Sequence, residues 1–194
     1  MPRKRADVAE RLGPAEWIEA AQARLGQGGL DEVRVELLAK ELNVTKGSFY
    51  WHFRDRGDLL QQLLDSWRDG RLSSIGAQVG DTTEAPDVRL RRILDVYLDR
   101  ANPRGMAIEM AIRDWARRDP VARKRVKEVD AERLRLVAGL FAQLGYEKND
   151  ASTRALAYYS FIFGQGLLAI PKSSLEDGRN RASIAAMLIG KGER

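Results

Sequence analysis

Residues 44–53 of the chain read Val-Thr-Lys-Gly-Ser-Phe-Tyr-Trp-His-Phe, and this stretch decides the fold. Thr45 belongs to the residue types that start helices, because its hydroxyl can accept a hydrogen bond from a free N–H group of the first turn. Lys46 adds a positive charge, and aromatic residues and the chain's only histidine follow within two turns. The combination predicts a short helix that enters the major groove of DNA.

The aromatic residues of this stretch divide into two groups. Phe49 and Phe53 are spaced i,i+4, which predicts that both anchor the helix in the core. Tyr50, Trp51 and His52 are consecutive, so they cannot all face inward on one short helix. Exposed Tyr and Trp are unusual without a function, and contact with the sugar–phosphate backbone of DNA would give them one. The alternative from pattern alone is a pair of packed helices in an α-bundle.

The composition favours an all-α protein and argues against an enzyme. Leu, Ala, Arg and Glu are abundant in the 194 residues, and runs with period-two alternation are hard to find. The chain has no cysteine and one histidine. Disulfides, thiolate nucleophiles, cysteine-ligated zinc, histidine-rich metal sites and most catalytic triads are therefore excluded. We predict no catalytic residues, no cofactor and no metal.

The distribution of charge matters more than its total of +5. Residues 1–60 carry ten Lys/Arg and ten Asp/Glu, so the segment that contains the aromatic stretch has no net charge. Its affinity for DNA must come from the placement of a few side chains. Arg3, Lys4 and Arg5 form a basic arm, which either enters the minor groove or stays a disordered tail.

No segment predicts secretion or a membrane span. No apolar signal-peptide core follows the basic start. The longest uncharged run, residues 155–171, contains tyrosine, serine, glutamine and glycine, which indicates a buried helix of a soluble protein. We expect the protein in the bacterial cytoplasm.

Apolar residues at helical spacing, caps and breakers predict about nine helices. Pro14 and the Asp119-Pro120 pair are typical helix starts, Asp55 is a predicted N-cap, and residues 80–86 form a polar loop. The remaining predicted helices lie near residues 35–42, 45–53, 90–98, 106–116, 150–170 and from 174 or later to 188, with stops at Asn102-Pro103, Gly145 and Pro171.

Residues 14–64 resemble the N-terminal domain of the tetracycline-repressor (TetR) family. The resemblance rests on Gly29–Val33, on the continuous stretch Leu38–Phe53, and on Arg56 and Leu59. It implies a helix-turn-helix DNA-binding domain at residues 1–60 and a helical ligand-binding and dimerisation domain at residues 61–194. It also implies a homodimeric repressor on a palindromic operator in double-stranded DNA.

The resemblance assigns DNA contacts to particular side chains. The start of the recognition helix would face bases, with Lys46 as a donor to guanine O6 and N7. Arg56 stands where the family usually has a lysine that grips phosphate. The complete predicted set is Arg34, Thr45, Lys46, Gly47, Ser48, Tyr50, Trp51, His52 and Arg56.

Two residues depart from the family pattern. Arg34 occupies a position where a capping Ser or Thr is common, and arginine caps poorly, so it either contacts phosphate or leaves the helix uncapped. Asn43 replaces the usual turn glycine. Asparagine tolerates the left-handed conformation, so we expect the turn to hold.

The family usually binds a small molecule in its larger domain, and this ligand releases the operator. The predicted lining residues are Trp67, Tyr97, Met106, Met110, Trp115, Phe141, Tyr158 and Phe161. Ordinary core packing is the alternative for each. Glu109 and Asp114 would favour a cationic ligand, but a solvated helix face explains these charges equally well. A second alternative is a regulator without a small-molecule ligand, controlled by a protein partner or constitutive.

The last two predicted helices carry more apolar surface than one partner helix can cover. Helix 150–170 is apolar nearly all round, and Ile184, Ala185, Leu188 and Ile189 form a stripe on the last helix. By the resemblance these helices form a four-helix bundle between two subunits. Burial within one subunit is the alternative.

Overall fold

A computed structural model describes residues 12–80, 83–168, 173 and 177–190. Within these ranges the chain forms nine α-helices and no strand, which confirms the predicted all-α fold. They are α1 (Pro14–Gly28), α2 (Val35–Glu41), α3 (Lys46–Phe49), α4 (Arg56–Gly80), α5 (Pro86–Leu98), α6 (Pro103–Ala116), α7 (Pro120–Gln143), α8 (Lys148–Leu167) and α9 (Gly178–Ile189). A short 3₁₀ turn, Leu30–Glu32, connects α1 to α2. The basic arm at residues 3–5, the stop at Pro171 and the start near Ser174 lie outside the described residues.

Proline and capping residues begin several helices as the sequence predicted. Pro14 and Pro120 are the first residues of α1 and α7. The Asp119 carboxylate accepts the N–H groups of Val121 and Ala122 at 2.8 and 2.9 Å. These bonds satisfy two donors that a helix start leaves free. The predicted cap of α7 is confirmed.

Two predicted turns rely on the left-handed backbone region. Asn43 has φ 55° between α2 and α3, and Gly145 has φ 90° after α7. The asparagine that replaces the family's glycine therefore adopts the conformation that the turn requires.

Contacts divide the chain into two compact units. Unit 1 comprises the chain up to Gly70 together with residues 104–128, and unit 2 comprises residues 71–103 and those from 129 onward. The sequence predicted a single division at residues 60 and 61. The long helices α4 and α7 each contribute residues to both units, and the predicted boundary between residues 60 and 61 stays a prediction.

Unit 2 has a core built around Tyr158 of α8. Its ring contacts Phe141 edge-on at 6.3 Å, and its hydroxyl donates to the Leu90 carbonyl of α5 at 2.6 Å. Burial raises the pKa of this phenol far above its ordinary value. Tyr158 is therefore a neutral donor that joins α5 and α8.

Candidate nucleic-acid interface

Helices α2 and α3 form a tight helix-turn-helix in unit 1. The N–H of Leu42 donates to Leu38 at 2.9 Å and closes α2, and the N–H of Val44 reaches the Ala39 carbonyl at 2.9 Å across the turn. Leu38 and Ala39 are buried, whereas Leu42 is half-exposed. Leu42 caps the C-terminus of α2, where the backbone leaves the helix.

Phe49 anchors α3 in the core. Its ring meets Trp17 of α1 edge-on at 5.4 Å and stacks on Phe53 at 5.1 Å. All three residues are buried. The predicted core role of both phenylalanines is confirmed, and this contact determines which side of α3 faces outward.

Tyr50 and Trp51 lie on the outer side of the same turn. Tyr50 is 63% exposed and Trp51 is 86% exposed, and His52 is half-buried. The Tyr50 N–H donates to Gly47 and the His52 N–H donates to Phe49, so a hydrogen-bonded turn holds these side chains in position. Two large aromatic side chains are therefore presented to solvent directly after α3.

The first turn of α3 differs in detail from the prediction. Thr45 occupies the N-cap position, but its hydroxyl accepts no backbone hydrogen bond, so the predicted side-chain cap is wrong. The Thr45 carbonyl instead accepts the N–H and the hydroxyl of Ser48, at 3.2 and 2.8 Å. Thr45 and Gly47 are exposed, and an added Cβ at Gly47 would meet only the Thr45 hydroxyl, at 3.5 Å. The backbone is thus open to close approach at Gly47.

Lys46 forms an ion pair that the sequence did not predict. Its Nζ lies 2.7 Å from Oε1 of Glu36 on α2, and both side chains are 60% exposed. The lysine ammonium lowers the pKa of the Glu36 carboxyl. The predicted base reader is therefore held between α3 and α2, and its charge is locally balanced.

Other basic groups of this surface are also in exposed pairs. Arg34 lies 3.9 Å from Glu32, and Arg54 lies 3.5 Å from Asp58. Arg34 makes no cap, as its residue type predicted. Exposed ion pairs contribute little to stability, so a phosphate can replace the carboxylate at small cost.

The start of α4 is capped as predicted. Asp55 Oδ1 accepts the Asp58 N–H at 2.8 Å, and Asp58 Oδ2 accepts the Arg54 N–H at 3.0 Å. The backbone hydrogen bond from Arg54 lowers the pKa of Asp58. Asp55 and Asp58 thus satisfy two free donors at this helix start.

Arg56 has a role that the sequence did not predict. Its Nε donates to the Val33 carbonyl at 2.6 Å and its Nη2 donates to the Leu30 carbonyl at 2.7 Å. The side chain is half-buried and ties the connection between α1 and α2 to the start of α4. Arg56 therefore holds two segments of unit 1 together, while its predicted phosphate contact stays a prediction.

Arg56→Met should lower the free energy of unfolding by about 1–2 kcal/mol, because two charge-assisted hydrogen bonds are lost. Urea denaturation measures the change. Arg54→Met is the matched control, since the Arg54 side chain is 83% exposed, and it should change stability by less than about 0.5 kcal/mol. Unchanged stability of Arg56→Met with a weaker salt dependence of DNA binding would favour the phosphate contact instead.

Comparison with known proteins agrees with this geometry. A family model described as "Bacterial regulatory proteins, tetR family" matches residues 18–63, the segment that contains α2 and α3. Residues 18–63 are thus similar to the N-terminal domain of the TetR family.

A curated TetR-like relative matches the same end of the chain. The HTH-type transcriptional regulator TtgR of Pseudomonas putida is 38% identical over 52 residues, 27% of this chain. The similarity spans 25% of that relative's length. It therefore supports the helix-turn-helix and not the remaining two-thirds of the chain.

Solved structures support the fold of the whole chain. A transcriptional regulator from Rhodococcus sp. Rha1 has a TM-score of 0.72 at 19% identity and covers 92% of this chain and 95% of its own. A protein from Saccharomonospora viridis in complex with choline has a TM-score of 0.72 at 16% identity, with 90% and 92% covered. At such identities the likeness shows the TetR fold alone.

The predicted ligand residues do not all belong to one unit. Trp67, Met106, Met110 and Trp115 lie in unit 1, and Tyr97, Phe141, Tyr158 and Phe161 lie in unit 2. Trp67, Phe141 and Tyr158 are buried, and the last two pack in the core of unit 2. The other five are half-buried. The ligand contacts of all eight residues stay a prediction.

One surface depression is evident in unit 2 at residues that the sequence did not predict. It has a volume of about 360 Å³ and is lined by Ala77, Gln78, Arg92, Ile93 and Val96. It is open to solvent, and none of the eight predicted lining residues contributes to it.

The two acidic residues that suggested a cationic ligand are both in ion pairs. Glu109 is buried and lies 2.9 Å from Arg113, and Asp114 is exposed and lies 2.8 Å from Arg118. Asp114 thus belongs to a solvated helix face, as one of the alternatives held. Neither carboxylate offers an uncompensated negative charge.

Within the described ranges, no group of three or more Asp, Glu, His or Cys side chains is placed to hold a metal ion. In the same ranges no helix has the length and apolar character that crossing a bilayer requires.

Proposed function

We propose that the protein is a bacterial transcriptional regulator that binds double-stranded DNA through α3. The observation that carries the proposal is the arrangement of α3, where Phe49 is fixed in the core and Lys46, Tyr50 and Trp51 face solvent. A rigidly held short helix that presents a cation and aromatic side chains suits the major groove and the flanking sugar–phosphate backbone. Residues 1–60 are the proposed DNA-binding domain, and the proposed location is the cytoplasm.

Eight of the nine proposed DNA-contacting residues divide by their environment, and the ninth, Arg56, is half-buried and donates to the carbonyls of Val33 and Leu30. Thr45, Lys46 and Gly47 are exposed at the start of α3 and suit contact with bases. Tyr50 and Trp51 suit contact with sugar and phosphate, and half-buried Ser48 and His52 would donate from the edges of this surface. The Arg34 side chain is 58% exposed, and on binding DNA it would leave its ion pair with Glu32 and contact a phosphate.

We propose that two copies bind a palindromic operator as a homodimer. The last two described helices support this assembly, because Leu156 of α8 and Met187 of α9 are 56% and 68% exposed. A second copy would cover these apolar residues in a four-helix bundle. A two-fold dimer would place two copies of α3 in successive major grooves.

Selection of bound DNA from a random pool, with the full chain, tests both proposals. We expect an enriched sequence with two-fold symmetry and half-sites about one helical turn apart. Trp51→Ala, carried through the same selection, should enrich the sequence weakly or not at all. No enrichment by the native chain would refute DNA binding, and an enriched sequence without symmetry would refute the dimer on a palindrome.

We further propose that the regulator is a repressor that a small molecule releases from the operator. Such a ligand must bind the DNA-incompetent arrangement more tightly than the DNA-bound one. The choline complex of the Saccharomonospora viridis protein, which shares the fold, supports a small-molecule ligand. Residues 61–194 are the proposed ligand-binding and dimerisation domain, and the half-buried members of the lining set are Tyr97, Met106, Met110, Trp115 and Phe161.

A screen of thermal unfolding against a diverse compound set separates this regulator from one without a small-molecule ligand. A ligand that binds only the folded chain raises the midpoint in proportion to the logarithm of its concentration. Stabilisation that also weakens operator binding supports the proposal. Absence of stabilisation across the set would favour control by a protein partner or constitutive binding.

A further inference from the structure

Arg89 of α5 is a buried cation without a counter-charge among the described residues. It is 4% exposed, and its Nε makes no hydrogen bond. No ion pair joins its guanidinium to any carboxylate in that part of the chain. The guanidinium carries a positive charge, its Nε is buried, and no described carboxylate pairs with it, which is unfavourable for a buried cation. An anion bound beside Arg89 would compensate it.

The start of α5 adds free donors at the same place. Pro86 is the first residue of α5, and the N-cap residue Ala85 provides no side-chain cap. The Arg89 N–H donates to the Ala85 carbonyl at 3.1 Å, whereas helix geometry leaves the N–H groups of Asp87 and Val88 without an intrahelical partner. Side chains on a helix lean toward its N-terminus, and Arg89 is the fourth residue of α5, directly after the residues with free N–H groups. The guanidinium, the free N–H groups and the positive end of the helix dipole all favour an anion here.

The neighbouring carboxylates do not supply the missing charge. Glu84 Oε2 lies 3.0 Å from Nη1 of Arg92 and is already paired. Asp87 lies in the first turn of α5 but forms no ion pair with Arg89. Its negative charge nevertheless opposes a dianion, so a singly charged carboxylate fits the place better than a phosphate.

We propose that Arg89 and the first turn of α5 bind the carboxylate of a small anionic molecule. A carboxylate can accept two parallel hydrogen bonds from the guanidinium fork. The effector proposed above would then carry a carboxylate. The carboxylate site does not depend on the proposed function; only the release of DNA when the site is filled rests on it.

A carboxylate ligand is opposite in charge to a cationic ligand. Choline, the ligand of the Saccharomonospora viridis protein, is a cation. A cation beside Arg89 would add a like charge in a poorly solvated place, which is unfavourable. We therefore expect this chain to differ from that protein in the charge of its ligand.

Thermal unfolding of the full chain at constant ionic strength tests the site. The probes are sodium benzoate and sodium octanoate as carboxylates, inorganic phosphate, and choline chloride. We expect a saturable rise in midpoint with at least one carboxylate, roughly 3–6 °C at ten times its Kd, and no rise with choline. Stabilisation by phosphate or choline, but by neither carboxylate, would overturn the proposed class.

Substitutions at Arg89 and Arg91 test whether the carboxylate binds at Arg89. Arg89→Met should abolish the response to the carboxylate, and its midpoint without ligand should equal or exceed that of the native chain, because an unpaired buried charge is removed. Arg91→Met is the matched control on the same helix, since Arg91 is exposed, and it should keep the response. A lower midpoint for Arg89→Met together with an unchanged carboxylate response would show a structural role and overturn the site.

If Arg89→Met does not fold, Arg89→Lys serves instead. Lysine keeps the charge but lacks the planar fork, so the carboxylate Kd should rise about tenfold, and an unchanged Kd contradicts the proposal. Operator binding is measured separately. A carboxylate that stabilises the chain without weakening operator binding would leave the site intact and refute its role as effector. No stabilisation by either carboxylate refutes the site, whatever the DNA result.

Discussion

Phe49→Ala should lower the free energy of unfolding by roughly 3–5 kcal/mol, the largest effect that we expect from a single substitution. Phe49 is fully buried and contacts Trp17 and Phe53 at 5.4 and 5.1 Å. Removal of its ring leaves a cavity at the centre of the helix-turn-helix, and both ring contacts are lost. Urea denaturation followed by circular dichroism measures the change.

Trp51→Ala is the matched control, two residues further along the same turn. Trp51 is 86% exposed, so its removal should change stability by less than about 0.5 kcal/mol. We expect it instead to weaken binding to the selected operator. The two variants thus separate the residue that holds α3 from one that contacts DNA. A large loss of stability in Trp51→Ala, or none in Phe49→Ala, would contradict the orientation of α3.

The helix boundaries were predictable because local chemistry determines them. Asp55, Asp119 and the prolines at helix starts act on donors within their own turn. The turn at Asn43 depends only on the left-handed backbone conformation of Asn43 itself. The division of residues 49–53 into core and surface was also predictable, because a short helix has only one buried side.

The partners of the long charged side chains were not predictable from local spacing. Arg56 donates to carbonyls 23 and 26 residues earlier, and Lys46 pairs with a carboxylate ten residues earlier on another helix. These contacts depend on how the helices pack, and no spacing rule in the sequence encodes them. A phosphate contact for Arg56 therefore came from the family resemblance alone.

The sequence likewise did not predict that Arg89 has no ion-pair partner among the described residues. Acidic residues stand at positions 84 and 87, close before it in the chain, and either was a possible partner. Only the structure shows that Glu84 pairs with Arg92 and that Arg89 is buried without a partner among the described residues. The predicted lining residues rested on residue type, and three of them are buried.

Lys46→Ala should weaken binding to the selected operator by about 1–3 kcal/mol and relax base preference at one position, if Lys46 reads guanine. Its side chain is 60% exposed and is held only by Glu36, so stability should change little. Competition binding with operators that differ at single positions measures both effects. Unchanged affinity and unchanged preference would exclude Lys46 as the base reader.

Glu36→Gln removes the acidic partner of the same ion pair. In free protein Glu36 balances the Lys46 ammonium at 2.7 Å, and DNA must compete with this carboxylate. Its removal should strengthen binding to random DNA about fivefold at low salt, because phosphate no longer competes with an exposed carboxylate for Lys46. Binding to the operator should strengthen at least as much, because the same ion pair is lost from the free protein in both cases, so the specificity ratio should not fall.

Asp114→Asn is the control for net charge, since Asp114 is an exposed partner of Arg118 on α6. It removes the same charge without touching α2 or α3, so it should strengthen random-DNA binding less than Glu36→Gln does. Equal effects of the two variants would mean that only overall charge matters. A larger effect of Glu36→Gln would show that the Glu36 carboxylate competes with DNA for the Lys46 ammonium.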